Sequence, residues 1–388
     1  MKLKDVCTVF TDGDWIESKD QSDEGIRLVQ TGNIGEGIYL EKEARAKYIS
    51  EDTFKTLKCT EIYPGDILVS RLPEPIGRAC IVPEKEDRMI TAVDCTICRP
   101  DESIVSKEYL CYFMRSDSYY TKLLGNVTGT TRKRISRKNL GNVELDIPLK
   151  KKQKEVVKQL DSLSRAINLR KNEIQLLDNL IKARFVEMFG NENNSKNWHI
   201  VNVEKVADVQ VGVVIKPSQY YTDESNGVRA FRSLNVGAGF IKDTDWVYFT
   251  EEGHHKNSKS ILKENDLLIV RSGAPGTACV VTKEYAGYNA IDIIIVHPDC
   301  ERVNPYYLCT FTNMPHGKKQ IDEGTGGAAQ QHFNVGKYSK LKLMLPPKKL
   351  QDDFANFIDQ VDKSKVAVQK ALDETQMLFD SLMQKYFA

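Results

Sequence analysis

The feature that most constrains this chain is an internal duplication at an offset of about 200 residues. Ile67-Leu68-Val69-Ser70-Arg71 lines up with Leu267-Leu268-Ile269-Val270-Arg271, and Gly77-Arg78-Ala79-Cys80-Ile81-Val82 with Gly276-Thr277-Ala278-Cys279-Val280-Val281. Ala92-Val93-Asp94 then matches Ala290-Ile291-Asp292, and Tyr109-Leu110-Cys111 matches Tyr307-Leu308-Cys309. Upstream, Gly32-Asn33-Ile34-Gly35 faces Leu234-Asn235-Val236-Gly237. The offset drifts by only a few residues, so insertions are short and belong in loops. A repeat of this length means one structural unit built twice. At 388 residues the chain holds two or three such domains, each with its own core.

Each copy has two halves of different character. In the first half, Asp66–Ser70, Ala79–Val82, Thr91–Arg99 and Val143–Ile147 are short, β-branched and bounded by Gly, Pro or Asp, which predicts strands. A short helix is expected from Ser106, with Tyr109, Leu110 and Phe113 on one face. After Pro148, and again after Pro346 and Pro347, the pattern turns charged and heptad-like. Leu160, Leu163, Ile167, Ile174, Leu177 and Ile181 form one seam; Ile358, Val361, Val368, Leu372, Phe379 and Leu382 form the other. Arg170, Arg184, Lys365 and Thr375 interrupt these seams with polar side chains. Either each helix packs on its own domain, or the two bury each other as an antiparallel pair; equal seams favour the pair. The expectation is an α/β fold of the α+β type: strand-rich domains at 1–149 and 191–347, with coiled-coil helices at 150–190 and 348–388. Residues 191–198 read as a polar linker, and Gly190 closes the first helix.

Charge placement matters more than the net charge of +1. Between Arg132 and Lys158 stand ten basic residues against three acidic ones, and Thr325 to Lys349 holds five lysines and no acid. A basic run is usually a solvated face, but its recurrence in both copies favours contact with phosphate. Each run opens on a loop of small residues. Arg132, Lys133, Arg134 and Arg137 follow one loop, while Gln330, Gln331 and His332 end the other. Arginine and lysine suit guanine edges and glutamine suits adenine, so the copies would read different bases; a plain glycine-rich turn remains the other reading. Arg71 and Arg271, the latter followed by Ser272, stand at equivalent strand ends. They suit either a phosphate or base contact or a carboxylate that fixes the loop. Asn33 and Asn235 complete the candidate contacts.

Motifs of other chemistries fail against the repeat. Asn304-Pro305-Tyr306-Tyr307 resembles an adenine-methyltransferase signature, but its counterpart is Ser106-Lys107-Glu108-Tyr109, so a helix cap is expected instead. Cys95-Thr96-Ile97-Cys98 faces Ile293-Ile294-Ile295-Val296, which makes its thiols small hydrophobes rather than zinc or redox ligands. No nucleotide-binding Walker motif is present. Nine cysteines without a secretion signal fit reduced thiols in a cytoplasm, and no apolar run is long enough for a membrane span.

Together these features resemble the specificity subunit of type I restriction-modification systems, over essentially the whole chain. The segment Leu177 to Gly190 and the Gly-Thr loops leading to Ile147-Pro148-Leu149 and Leu345-Pro346-Pro347 carry the likeness most clearly. The resemblance implies two target-recognition domains, each reading one part of a split duplex DNA sequence, with spacing set by an antiparallel coiled coil. It implies a chain that is not itself an enzyme and binds no cofactor. S-adenosylmethionine would sit on two methyltransferase subunits, and ATP with magnesium on separate motor and endonuclease subunits. Phe185 and Phe189, off the seam, would be available to the methyltransferase. The competing expectation is a coiled-coil interaction scaffold with incidental basic stretches; a free-standing methyltransferase or nuclease ranks third.

Overall fold

The computed structural model describes residues 1–125, 133–324 and 333–388. They divide into two compact units, Met1–Lys171 with Lys370–Ala388, and Asn172–Gln369. Each unit therefore contains one strand-rich domain, the start of its own long helix and the end of the other.

In the first unit the main sheet runs Cys7–Asp12, Cys95–Pro100, Ile67–Ser70, Ala79–Ile81, antiparallel throughout. The second unit repeats it as Ala207–Val211, Ile293–Pro298, Leu267–Val270, Ala278–Val280. Even the register is kept, with Ile67 opposite Cys98 and Leu267 opposite Val296. The strands Ile67–Ser70 and Leu267–Val270 are buried at every position. That explains their apolar runs, Ile67-Leu68-Val69 and Leu267-Leu268-Ile269-Val270, since both sheet faces are covered. Leu267 and Ile269 face one core cluster, while Leu268 and Val270 face another. A smaller sheet in each unit carries one parallel pair, Ile26–Val29 with Met89–Thr91 and Val228–Phe231 with Asn289–Ala290.

Two expected strands differ. Thr91–Arg99 is not continuous: a turn at Ala92–Asp94 separates Met89–Thr91 from Cys95–Pro100, because the two halves belong to different sheets. Val143–Ile147 forms only a bridge between Glu144 and Lys2, whereas its counterpart Lys342–Met344 pairs fully with Ile200–Asn202. The short helices begin as expected. Ser106 accepts a hydrogen bond from Tyr109 N, Asn304 accepts one from Tyr306 N, and Pro305 takes the first helical turn.

The long helices span Lys150–Phe189 and Lys348–Phe387. Every seam residue is buried or half-buried. In the first unit Gln159 pairs with Tyr386 and Arg170 with Thr375, so the two segments run antiparallel. In the second, Asp178 lies 2.6 Å from Lys365, and the Arg184 guanidinium sits over Phe357, again antiparallel. Polar seam positions are thus occupied by cross-helix hydrogen bonds, an ion pair and a cation–π contact. No helix among the described residues is long and apolar enough to cross a membrane.

Phe185 and Phe189 are not on display. Both are fully buried: each packs on Tyr307 and Phe354, and Phe185 also on His316, with ring centroids 4.7–5.6 Å apart. Off-seam aromatic residues at a helix end face the domain core when the helix caps that domain. The segment after Gly190 is likewise tied down: Asn194 bonds both N and O of Trp198, and the Trp198 indole donates to Phe189 O.

Candidate nucleic-acid interface

Arg71 ends a buried strand and is itself 5% exposed. Its Nη2 donates to Val93 O at 2.5 Å and lies 3.4 Å from Asp12. Burial draws this guanidinium below its ordinary value, with Asp12 opposing that pull. Around it the charges alternate, with Arg134 2.9 Å from Asp94 and Arg137 3.9 Å from Asp12. Three arginines against two aspartates leave an excess of positive charge, and Lys133 and Lys138 are exposed beside them. In the second copy Arg271 meets Asp292 at 2.5 Å and donates to Phe333 O at 3.3 Å. The backbone repeats as well: Ile135 N donates to Arg71 O, and Phe333 N to Arg271 O. Each arginine therefore anchors the chain where it re-enters the domain after the small-residue loop. Of the two readings for Arg71 and Arg271, this geometry gives both a carboxylate partner.

Asn33 and Asn235 are committed to the fold. Asn33 accepts from Gln30 N and donates to Leu40 O and Glu41 O; Asn235 accepts from Arg232 N and donates to Lys242 O and Thr244 O. Both are buried. Ser272 lines a cleft with Phe240 and Thr277. Arg132, Gln330, Gln331 and His332 lie outside the described residues. The structure thus groups Arg71 with Arg134 and Arg137, leaves Lys133 exposed, and places Asn33 and Asn235 in interior turns. Cys95 and Cys98 are fully buried in one strand, and burial pushes the Cys95 thiol up to about 12, which keeps it protonated and unreactive at neutral pH.

Two pairs of residues with structural work escaped the sequence reading. Gln153 and Gln351, both 0% exposed, each accept from the cap residue's N–H (Ser106 or Asn304) and donate to two backbone carbonyls. Each fastens the start of a long helix to its own domain. A glutamine recurring at the fourth helical position, after Lys150-Lys151-Lys152 and after Lys348-Lys349-Leu350, was the available signal. The second pair is Arg78 and Thr277, the divergent position inside the matching Gly77–Val82 block. Beside them Gly77 and Gly276 have φ of +87° and +77°, and a Cβ there would strike Leu123 or Ile321.

Fold and site define a duplicated binding protein with two related heads. A family model described as "Type I restriction modification DNA specificity domain" matches residues 1–179 and 195–375. The type I restriction enzyme MjaVIII specificity subunit of Methanocaldococcus jannaschii is 21% identical over 295 residues, 69% of this chain and 68% of that one. The StySPI specificity subunit of Salmonella potsdam is 21% identical over 325 residues, 76% and 67% of the two chains. Among solved structures, the type I restriction-modification S subunit from M. genitalium aligns over 100% of this chain and 95% of its own, with a TM-score of 0.56 and 12% identity. A chain from a structure of the assembling type I R-M system aligns with a TM-score of 0.60, 17% identity and coverage of 100% and 96%. These structural likenesses bear on the fold. The family match decides membership: the chain belongs to the type I restriction-modification DNA specificity family.

Proposed function

We propose that this chain is the DNA-reading subunit of a type I restriction-modification complex, each domain contacting one part of a split duplex target. The observation that carries this reading is the repeated loop base, one fold built twice with the same anchored arginine before a basic stretch. A helix of 40 residues is about 60 Å long, comparable to roughly 18 base pairs of duplex. The long helices would set the gap between the two half-sites. The reader performs no chemistry itself. Two methyltransferase subunits holding S-adenosylmethionine, and motor subunits using ATP and magnesium, would supply it within the cytoplasm.

The test mixes the full chain and its methyltransferase partners with random duplexes, selects bound DNA and sequences it. A bipartite motif with a fixed gap is expected, and deleting seven residues from each long helix should shorten that gap. One contiguous motif, or none, would favour the scaffold and overturn the reading.

A further inference from the structure

The two copies differ at one polar position beside the anchored arginine. In the first, Arg78 threads its guanidinium among backbone carbonyls, with Nε donating to Ile34 O at 2.7 Å and Nη2 to Thr31 O at 2.9 Å. Its Nη1 donates to Leu72 O at 3.0 Å and Pro75 O at 3.1 Å. In the second copy the equivalent residue is Thr277, whose hydroxyl donates to Ala274 O, the counterpart of Pro75 O. The carbonyls corresponding to Thr31 and Ile34 belong to Ser233 and Val236. They are held by the same short turn, since Ile34 N donates to Thr31 O and Val236 N to Ser233 O, each at 3.2 Å. In the corresponding place the described residues leave a cleft of about 430 Å³, bordered by Ser233, Val236, Phe240, Ser272, Ala274 and Thr277.

We propose that this cleft in the second domain is a guanidinium-binding site, filled from outside the domain by what the first domain supplies as Arg78. The acceptors in question are neutral carbonyls fixed by a turn, which suits a planar, weakly hydrated cation better than a compact ammonium. Phe240, 58% exposed, offers a ring face at the rim for cation–π contact. Lys242 also lines the cleft; in the first copy Lys42 Nζ approaches Gly32, the residue after Thr31, whose carbonyl accepts from Arg78. The first copy holds Arg78 despite that neighbour, so a nearby ammonium does not exclude a guanidinium. The ligand is either an arginine side chain of another protein or a free guanidinium compound; the chemistry is shared. The inference does not depend on DNA reading.

The full chain is titrated with methylguanidinium, and with methylammonium as control, while backbone and Phe240 ring resonances are followed by NMR. Saturable binding is expected at millimolar concentration, at least tenfold tighter for methylguanidinium, with shifts at Ser233, Val236 and Phe240. Thr277→Arg should abolish it by filling the cleft from within. Phe240→Ala, which leaves the carbonyls in place, should weaken it several-fold and covers the case in which the first variant misfolds. In the first copy, Arg78→Gly should create a second site of the same selectivity. Equal binding of methylammonium, no saturation, or titrations unaltered by both Thr277→Arg and Phe240→Ala would overturn the proposal. Repeating the titration with methyltransferase subunits bound separates the sources. Loss of the site identifies a partner arginine, persistence identifies a free ligand, and both outcomes sustain the site.

Discussion

The two units share their buried polar framework and differ in what fills the space around it. Asn33 and Asn235, and Gln153 and Gln351, make matching hydrogen bonds in both copies, and the carbonyls of Arg71 and Arg271 accept from the same re-entering segment, while the two guanidinium groups take different partners. The apolar docking of each helix end has drifted. In the second unit Phe185 and Phe189 enter a cluster with Tyr307, Phe354 and His316. In the first, Phe387 stands where Phe189 does and meets Tyr109 and Phe113, but Met383 replaces the other ring. A polar network tolerates few substitutions because every member must be satisfied. An apolar cluster needs only volume.

The largest test of that difference is truncation at the matched rings. Phe189→Ala should cost the second unit about 3–5 kcal/mol, and Phe387→Ala should cost the first less, about 2–3 kcal/mol, because fewer rings surround it. Urea melts followed by hydrogen exchange, which reports the units separately, would measure both. Equal losses would mean that the aromatic clusters are not what distinguishes the copies.

The next test asks whether the shared framework is energetically equivalent. Gln153→Leu and Gln351→Leu each strand buried backbone groups at a helix start, and each should cost about 1–3 kcal/mol. Near-identical values, measured by the same melts, would support one inherited anchor. A cost in one unit alone would show that the hydrogen bonds of the other are replaceable.

Much of the fold was legible because periodicity is a statement about faces. The 3-4 spacing from Leu160 to Ile181 and from Ile358 to Leu382 marked the side of each helix that is buried. The unbroken apolar runs marked the central strands. The turn at Ala92–Asp94 was hidden because Thr91–Arg99 is β-branched and apolar on both sides of it, so only tertiary pairing shows that two sheets share the segment. The site was less legible. Asn33 and Asn235 have the chemistry of base readers, and nothing local in sequence says that a three-residue turn consumes their amides. Phe185 and Phe189 lie off the seam and looked available, yet a residue off one interface can be central to another.

A smaller effect should follow pH, in the second unit alone. His316 is buried in the aromatic cluster with Nε2 3.0 Å from Gly190 O, and desolvation lowers its pKa from the ordinary 6.5. The unfolded chain then takes up a proton more readily than the folded one. Stability should be fully present above about pH 6.5 and fall as pH drops through the interval down to the lowered folded value. The first copy has Asp117 or Ser118 near that position and no histidine. His316→Gln should flatten this part of the profile. A slope that persists unchanged in the variant would assign it to other groups.

The smallest effect concerns the exposed lysine at the loop base. Lys133 is solvent-exposed and follows the first loop, whereas Gln331 occupies the equivalent sequence position in the second copy. A phosphate contact from Lys133 would release one condensed counterion, so Lys133→Ala should lower the slope of log affinity against log salt by about 0.9 in magnitude. Affinity at physiological salt should fall less than tenfold, and base preference at both half-sites should stay the same, because phosphate contacts position without specifying. Gln331→Ala, which removes no charge, should leave the salt slope unchanged while relaxing preference at the other half-site. If Lys133→Ala instead altered base preference with no change in slope, the first loop base would be reading an edge, and the copies would differ in position of contact rather than in kind.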